Sequence, residues 1–163
     1  MINVHTGEII FDGVEIRKNM KIADFLQYDK SRILINDRGN GRGIIKLTNA
    51  VMSNGVYAQV KIEINEKMSV LRINILPSLK ENAESDLLSA SKTWLEGMIS
   101  TNEIEVNEKA INRTYSWGHI SAQHIPDRDY GTVGGDINIV YEENWVWVIA
   151  SMMITVIMQS IGN

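Results

Sequence analysis

The chain contains no cysteine among its 163 residues. A disulfide, a thiol nucleophile and a cysteine-ligated metal site are therefore excluded. A chain without cysteine needs no oxidising compartment for disulfide formation, and we expect a cytoplasmic protein. Hydrophobic residues make up 44% of the chain and charged residues 22%, which is ordinary for a folded protein and argues against disorder.

An excess of positive charge is also missing. The formal net charge is -4 and the sequence pI is about 5.4. Dedicated nucleic-acid-binding proteins usually carry a basic excess, so we expect no nucleic-acid partner.

A hydrophobic run long enough for a membrane helix, about 20 residues, is lacking. The apolar stretch Trp145–Met158 is shorter and is interrupted by Ser151 and Thr155. Its Val, Ile and Thr residues favour a buried strand or pair of strands. A buried helix and a membrane tail are the alternatives. The first residues show no basic start followed by an apolar stretch, so we expect neither a secretory signal nor a membrane partner.

Two kinds of periodicity predict the main elements. Between residues 56 and 76, apolar and polar residues alternate on either side of a turn at Glu66-Lys67, which predicts two antiparallel strands with one buried face. Between residues 80 and 100, apolar residues recur every three or four positions, which predicts a long amphipathic helix with an acidic outer face.

Shorter signals complete the fold prediction. Asp12-Gly13 suits the tight turn of a hairpin over residues 7–18, and Asn19 is expected to cap a short helix near 20–30 that buries Ile22, Phe25 and Leu26. Further strands are predicted from the remaining apolar segments: Ile33–Asn36, Ile44–Thr48, Thr114–His124 and Asp136–Tyr141. The sum predicts one α+β domain over 1–163, with an antiparallel sheet of about 6–9 strands.

The glycine-rich segment Arg38–Gly43 resembles a phosphate-binding loop in composition alone. Such loops need a following helix, whereas Ile44–Thr48 is predicted to be a strand. We therefore expect a hairpin loop, and anion binding by its two arginines stays open as the alternative.

No catalytic constellation stands out. His119 and His124 are five residues apart, which places them on opposite faces of one strand. Nearby acids make a His/Asp metal cluster or a small hydrolase conceivable, but no nucleophile elbow accompanies them. Asp127 and Asp129 do not follow the EF-hand spacing and are expected to form turns. We expect no enzyme activity, no metal and no cofactor.

Charge is sorted along the chain. Residues 17–46 carry eight bases against three acids, whereas residues 81–108 carry seven acids against Lys92 alone. Segregated charge speeds the encounter with a charged partner. Trp117 is the tryptophan that we expect to be exposed, since it shares a predicted wet face with His119 and Gln123. The candidate partner-binding residues are the acids of the helix and beyond, with a second surface near Trp117: Glu81, Glu84, Glu96, Glu103, Glu105, Glu108, Trp117, Asp127 and Asp129.

Two stretches carry a resemblance to a known class of proteins. The first is the hairpin Gly7–Ile16 followed by Asp24-Phe25-Leu26, and the second runs from Trp117-Gly118-His119 through Tyr130-Gly131 to Ile137–Tyr141. Together they resemble the small, acidic, cysteine-free bacterial immunity proteins of contact-dependent or polymorphic toxin systems. The resemblance implies a cognate toxin domain, often a basic nuclease, that is held by an acidic surface in the cytoplasm. It implies no catalytic residues.

These observations favour a non-enzymatic, immunity-type inhibitor that covers the active site of its toxin with an acidic surface. Two alternatives remain: a small hydrolase or nuclease that uses His119 and His124, and a subunit of a larger assembly in which part of 145–158 pairs across an interface.

Overall fold

The computed structural model describes residues 1–65, 70–78, 87–99, 106–107, 110–123, 125–126, 133–134 and 136–141. The predicted α+β fold is confirmed. In this part of the chain a nine-stranded antiparallel sheet is accompanied by one α-helix and a lone 3-10 turn.

The chain begins with the predicted hairpin. Strands β1 (Ile9–Phe11) and β2 (Val14–Ile16) pair antiparallel, and Phe11 lies opposite Val14. The two turn residues, Asp12 and Gly13, have φ angles of 48° and 74°. An Asp-Gly pair tolerates positive φ at both positions, which is the geometry that fits the twist of a tight hairpin.

The short helix after the hairpin is a single 3-10 turn, Ile22–Phe25, with Ile22 and Phe25 buried. The prediction that Asn19 caps it is wrong, because Asn19 lies two residues too early and has a φ of 67°. Lys21 precedes the turn instead, and its backbone N–H donates to the Asp24 carboxylate over 2.7 Å. Leu26 was expected on the buried face but is 69% exposed, since the turn ends before reaching it.

The large sheet takes most of the remaining strands. Those of its first half are β3 (Ile33–Gly39), β4 (Arg42–Leu47), β5 (Val51–Ser53), β6 (Val56–Asn65) and β7 (Val70–Pro77). Those of its second half are β8 (Val106–Asn107), β9 (Ala110–Tyr115), β10 (Gly118–Gln123) and β13 (Ile137–Tyr141). The order across the sheet is β3-β4-β6-β7-β13-β10-β9-β8, and β5 pairs with β6. The late strand β13 thus joins the two halves by pairing with both β7 and β10.

Two Asn-Gly turns shape the first half of this sheet. Asn40-Gly41 joins β3 to β4, and Asn54-Gly55 joins β5 to β6, all with φ between 46° and 76°. The predicted glycine-rich hairpin loop at 38–43 is confirmed, although the strands extend further into it than expected. A register shift between Asp37 and Gly39 interrupts the pairing of β3 just before the turn.

Alternation divides the sheet into an inner and an outer face. The predicted buried residues of β6 and β7 are buried, for example Ile62 and Ile73, which lie directly opposite each other. Ile139 continues this row on β13. The residues between them point to the other side, because successive side chains of a strand alternate. The inner face is the core side of the molecule.

Helix α1 (Leu87–Met98) lies on the inner face. Trp94 and Leu95 are fully buried, and the Phe11 ring meets Trp94 edge-on at a centroid distance of 5.7 Å. The helix is tied to the β5–β6 hairpin, because the Ser53 hydroxyl donates to the Trp94 carbonyl over 2.8 Å. The Trp94 indole N–H donates in turn to the Val51 carbonyl over 3.1 Å. The predicted amphipathic helix is confirmed for these residues; positions 80–86 lie outside the described residues.

The predicted single strand Thr114–His124 is wrong. The chain forms a hairpin there, with β9 and β10 joined by Ser116 and Trp117. Gly118 follows with a φ of 153°, and a Cβ at this position would collide with the Val140 carbonyl. Between the predicted strands, β11 (Ile125–Pro126) pairs with β12 (Val133–Gly134).

The apolar segment Trp145–Met158 lies outside the described residues. None of the helices in the described ranges is long and apolar enough to cross a membrane.

Candidate functional site

One of the predicted acidic contacts lies in the described part of the chain. Glu96 sits on α1 and is half-exposed, and its carboxylate lies 4.0 Å from the Lys92 ammonium one helical turn earlier. Exposed i,i+4 pairs of this kind add about 0.3–0.5 kcal/mol, so the pair leaves the carboxylate available to a partner. The remaining acidic candidates lie outside the described residues: Glu81, Glu84, Glu103, Glu105, Glu108, Asp127 and Asp129.

The expectation that Trp117 is exposed is wrong. Its side chain is 4% exposed, because the β9–β10 turn folds the indole onto the core. The indole ring stacks on the Tyr115 ring at a centroid distance of 5.1 Å, and its centroid lies 5.3 Å from that of the Tyr141 ring. The indole N–H donates to the Val4 carbonyl over 2.7 Å. Trp117 therefore fastens the N-terminal segment to the sheet and does not offer a surface to a partner.

His119 lies on the outer face of β10. It is half-buried, between Val140 of β13 and Thr114 of β9 in the register of the sheet. His124 lies outside the described residues. Within the described ranges, no group of three or more His, Asp or Glu side chains is arranged to hold a metal ion.

The outer face of strands β4, β6 and β7 carries a concentration of positive charge. Four cations point to this side, Arg42, Lys46, Lys61 and Arg72, and we call this surface the cationic face. Among the described strand residues on this side, Glu63 is the one carboxylate. Its oxygen lies 2.5 Å from the Lys61 ammonium on the same strand. None of the other three cations forms an ion pair with a described residue.

Two of these cations face each other across neighbouring strands. Lys46 of β4 lies directly opposite Lys61 of β6. Like charges in directly opposed positions destabilise a sheet by a few tenths of a kcal/mol, up to about 1. The Lys46–Lys61 pair therefore does not stabilise the fold. It raises the positive electrostatic potential over the middle of the cationic face.

A cleft of about 290 Å³ opens at one end of the cationic face. Its lining includes Arg38, Arg42, Ile44, Glu63 and Asn65. Arg42 lies directly opposite Asn65, and Ile44 directly opposite Glu63, so the cleft lies across the β4–β6 pair with Arg38 reaching in from β3. The Asn65 side-chain oxygen is buried and accepts no hydrogen bond from the described part of the chain.

Part of the cationic face could be predicted from the sequence. The alternation over 56–76 indicated that Lys61, Glu63 and Arg72 share a wet face, and the basic stretch 17–46 contains Arg42 and Lys46. The pairing of β4 with β6 brings the two groups together, and strand order is not visible in periodicity.

Comparison with protein-family models, with curated proteins and with solved structures returned no match. The described residues form two polar surfaces on opposite sides of the core, a helix side that carries Lys92 and Glu96 and a sheet side that carries the cationic face.

Proposed function

We propose that the protein is a non-enzymatic binding protein of the immunity type, which neutralises a cognate toxin domain by covering its active site. The partner would be a basic domain such as a nuclease, and the acidic residues of segment 81–108 would contact its substrate groove. Opposite charges would speed capture, and anchors desolvated in the interface would slow release.

The observation that supports this proposal most is that α1 has one buried apolar side and one exposed polar side. Trp94 and Leu95 bind the helix to the sheet, and the Ser53 hydrogen bond fixes its position. The side away from the sheet carries Lys92 and Glu96. A rigid helix with an outward polar side can present a charged pattern to a partner with little ordering cost on binding.

Capture from the native cell tests the proposal. The tagged chain is used as bait at low and at high salt, and we expect one basic, toxin-like domain at low salt. The charge-reversal variant Glu96→Lys should slow the association rate with that domain. Asp136→Lys reverses an exposed charge outside α1 and serves as the matched control. Recovery of no such domain, or equal effects of both variants, would refute the proposal.

A separate variant distinguishes the enzymatic alternative. Replacement of both His119 and His124 by alanine should leave toxin binding and neutralisation unchanged. An enzyme that uses these side chains would lose its activity in the same variant.

A further inference from the structure

We propose that the cationic face is a second docking surface, and that its cleft receives a carboxylate side chain from an acidic segment of a protein partner. The cationic face lies on the opposite side of the sheet from α1, the helix that carries Glu96. The two proposals can therefore fail independently.

The first argument is charge. A chain with a formal net charge of -4 nevertheless gathers Arg38, Arg42, Lys46, Lys61 and Arg72 around one side of the sheet. Glu63 compensates Lys61, and the other four have no ion-pair partner in the described ranges. Cations left unpaired on a surface of this kind attract a negatively charged partner and exclude a positively charged one.

The second argument is the donor geometry of the cleft. Two arginines, Arg38 and Arg42, line it. Each guanidinium offers a planar fork of N–H donors that matches the two oxygens of a carboxylate. Ile44 adds an apolar wall against which the methylene groups of a Glu or Asp side chain can pack.

The third argument distinguishes a peptide from a DNA backbone. The cleft lining also includes a hydrogen-bond acceptor, the Glu63 carboxylate. A partner that brings an N–H group beside this carboxylate can donate a charge-assisted hydrogen bond to it. An acidic peptide supplies a carboxylate and backbone N–H groups together. A DNA phosphodiester backbone supplies acceptors alone and cannot donate to Glu63.

A peptide-binding measurement tests this. The probe is a short fluorescein-labelled peptide of alternating Glu and Ala, titrated with the full chain at low salt and followed by fluorescence anisotropy. The double variant Arg38→Gln/Arg42→Gln should weaken binding at least about ten-fold, since charge-assisted hydrogen bonds are lost. The same peptide with Gln in place of Glu should bind far more weakly.

The matched control is Lys21→Gln/Lys30→Gln. It removes two positive charges from exposed positions outside the sheet and should change the affinity less than about two-fold, because solvent and salt screen distant charges. Arg38 and Arg42 are exposed, so the test variant should keep its melting temperature, which is measured alongside.

Three outcomes would overturn the proposal. The first is no binding of the Glu peptide, and the second is equal weakening by both double variants. The third is tighter binding of a short oligouridylate than of the peptide in a way that depends on Arg38 and Arg42, which would assign the face to nucleic acid.

Discussion

The indole N–H of Trp117 donates a hydrogen bond to the backbone carbonyl of Val4, over 2.7 Å and across 113 positions of sequence. A turn residue in the second half of the chain thereby holds the N-terminal segment against the sheet. Gly7 lies under the same ring, and a Cβ there would approach the indole to 2.5 Å. The N-terminal segment is thus packed tightly against the core.

Replacement of Trp117 by Phe should destabilise the protein by about 1–3 kcal/mol, because the Val4 carbonyl loses its donor and the smaller ring leaves a cavity. Denaturant unfolding measures the effect. Tyr57→Phe on the exposed outer face is the control and should stay within about 0.5 kcal/mol. Equal stability of the Trp117→Phe variant and the parent would contradict the role assigned to the indole.

Tyr141 predicts a pH dependence. Its hydroxyl is buried and donates to the Gly7 carbonyl, and burial, followed by the nearby Glu8 carboxylate, raises its pKa. The folded state thus keeps the phenol proton to higher pH than the unfolded chain does. The stability contributed by Tyr141 is full below about pH 10 and falls as the pH rises above it, by up to about 1.4 kcal/mol per pH unit.

Tyr141→Phe isolates this effect. The variant should lose about 1 kcal/mol at neutral pH through the missing hydrogen bond. Its free energy of unfolding should then decline less steeply than that of the parent above about pH 10. Parallel pH profiles for the two proteins would show that the phenol titrates alike in the folded and unfolded states.

Gly97→Ala should destabilise the protein although alanine favours helices by about 1 kcal/mol. A Cβ at position 97 would overlap the Ser53 hydroxyl and lie 2.9 Å from the Asn54 side-chain carbon. Thermal unfolding should show a net loss of about 1–3 kcal/mol, as in other overpacked contacts. Lys92→Ala, at an exposed position of the same helix, should stay within about 0.5 kcal/mol.

Combination with Ser53→Ala sharpens this test. Removal of the hydroxyl makes room for the new methyl group, so the double variant should lose less stability than the sum of the two single variants. If the two losses of stability simply add in the double variant, the destabilisation by Gly97→Ala does not come from the contact with Ser53.

Asp24→Ala should destabilise the 3-10 turn by about 0.5–1 kcal/mol, because the Lys21 N–H loses its carboxylate acceptor. Asn19→Gly should stay within about 0.5 kcal/mol, since a positive φ suits glycine. Unfolding by urea compares the two variants. A larger loss of stability for Asn19→Gly than for Asp24→Ala would show that the Asn19 side chain, and not that of Asp24, stabilises the start of this turn.

Local signals in the sequence predicted those elements whose cause is local. Asp12-Gly13 specifies a hairpin turn by itself, and strict alternation around Ile62 and Ile73 specifies a strand pair. The β9–β10 hairpin was missed because Ser116-Trp117 is not a turn dipeptide of that kind. Gly118 was the available signal, since a glycine inside a strand pattern often marks a bend or a close backbone approach.

The surfaces were harder to predict than the elements. The predicted wet face shared with His119 and Gln123 suggested that Trp117 is exposed, but its burial depends on contacts with Val4 and Tyr141 from distant parts of the chain. The cationic face likewise depends on β4 pairing with β6, which puts Lys46 opposite Lys61. Long-range pairing of this kind leaves no trace in periodicity.

The break in register between Asp37 and Gly39 has a consequence for self-association. Among the described strands β3 pairs with β4 alone, so its other side resembles a template for another chain. An additional strand could follow it only as far as the irregularity, after which the spacing of donors and acceptors no longer matches. We therefore expect concentrated solutions to resist the growth of fibrils from this end of the molecule.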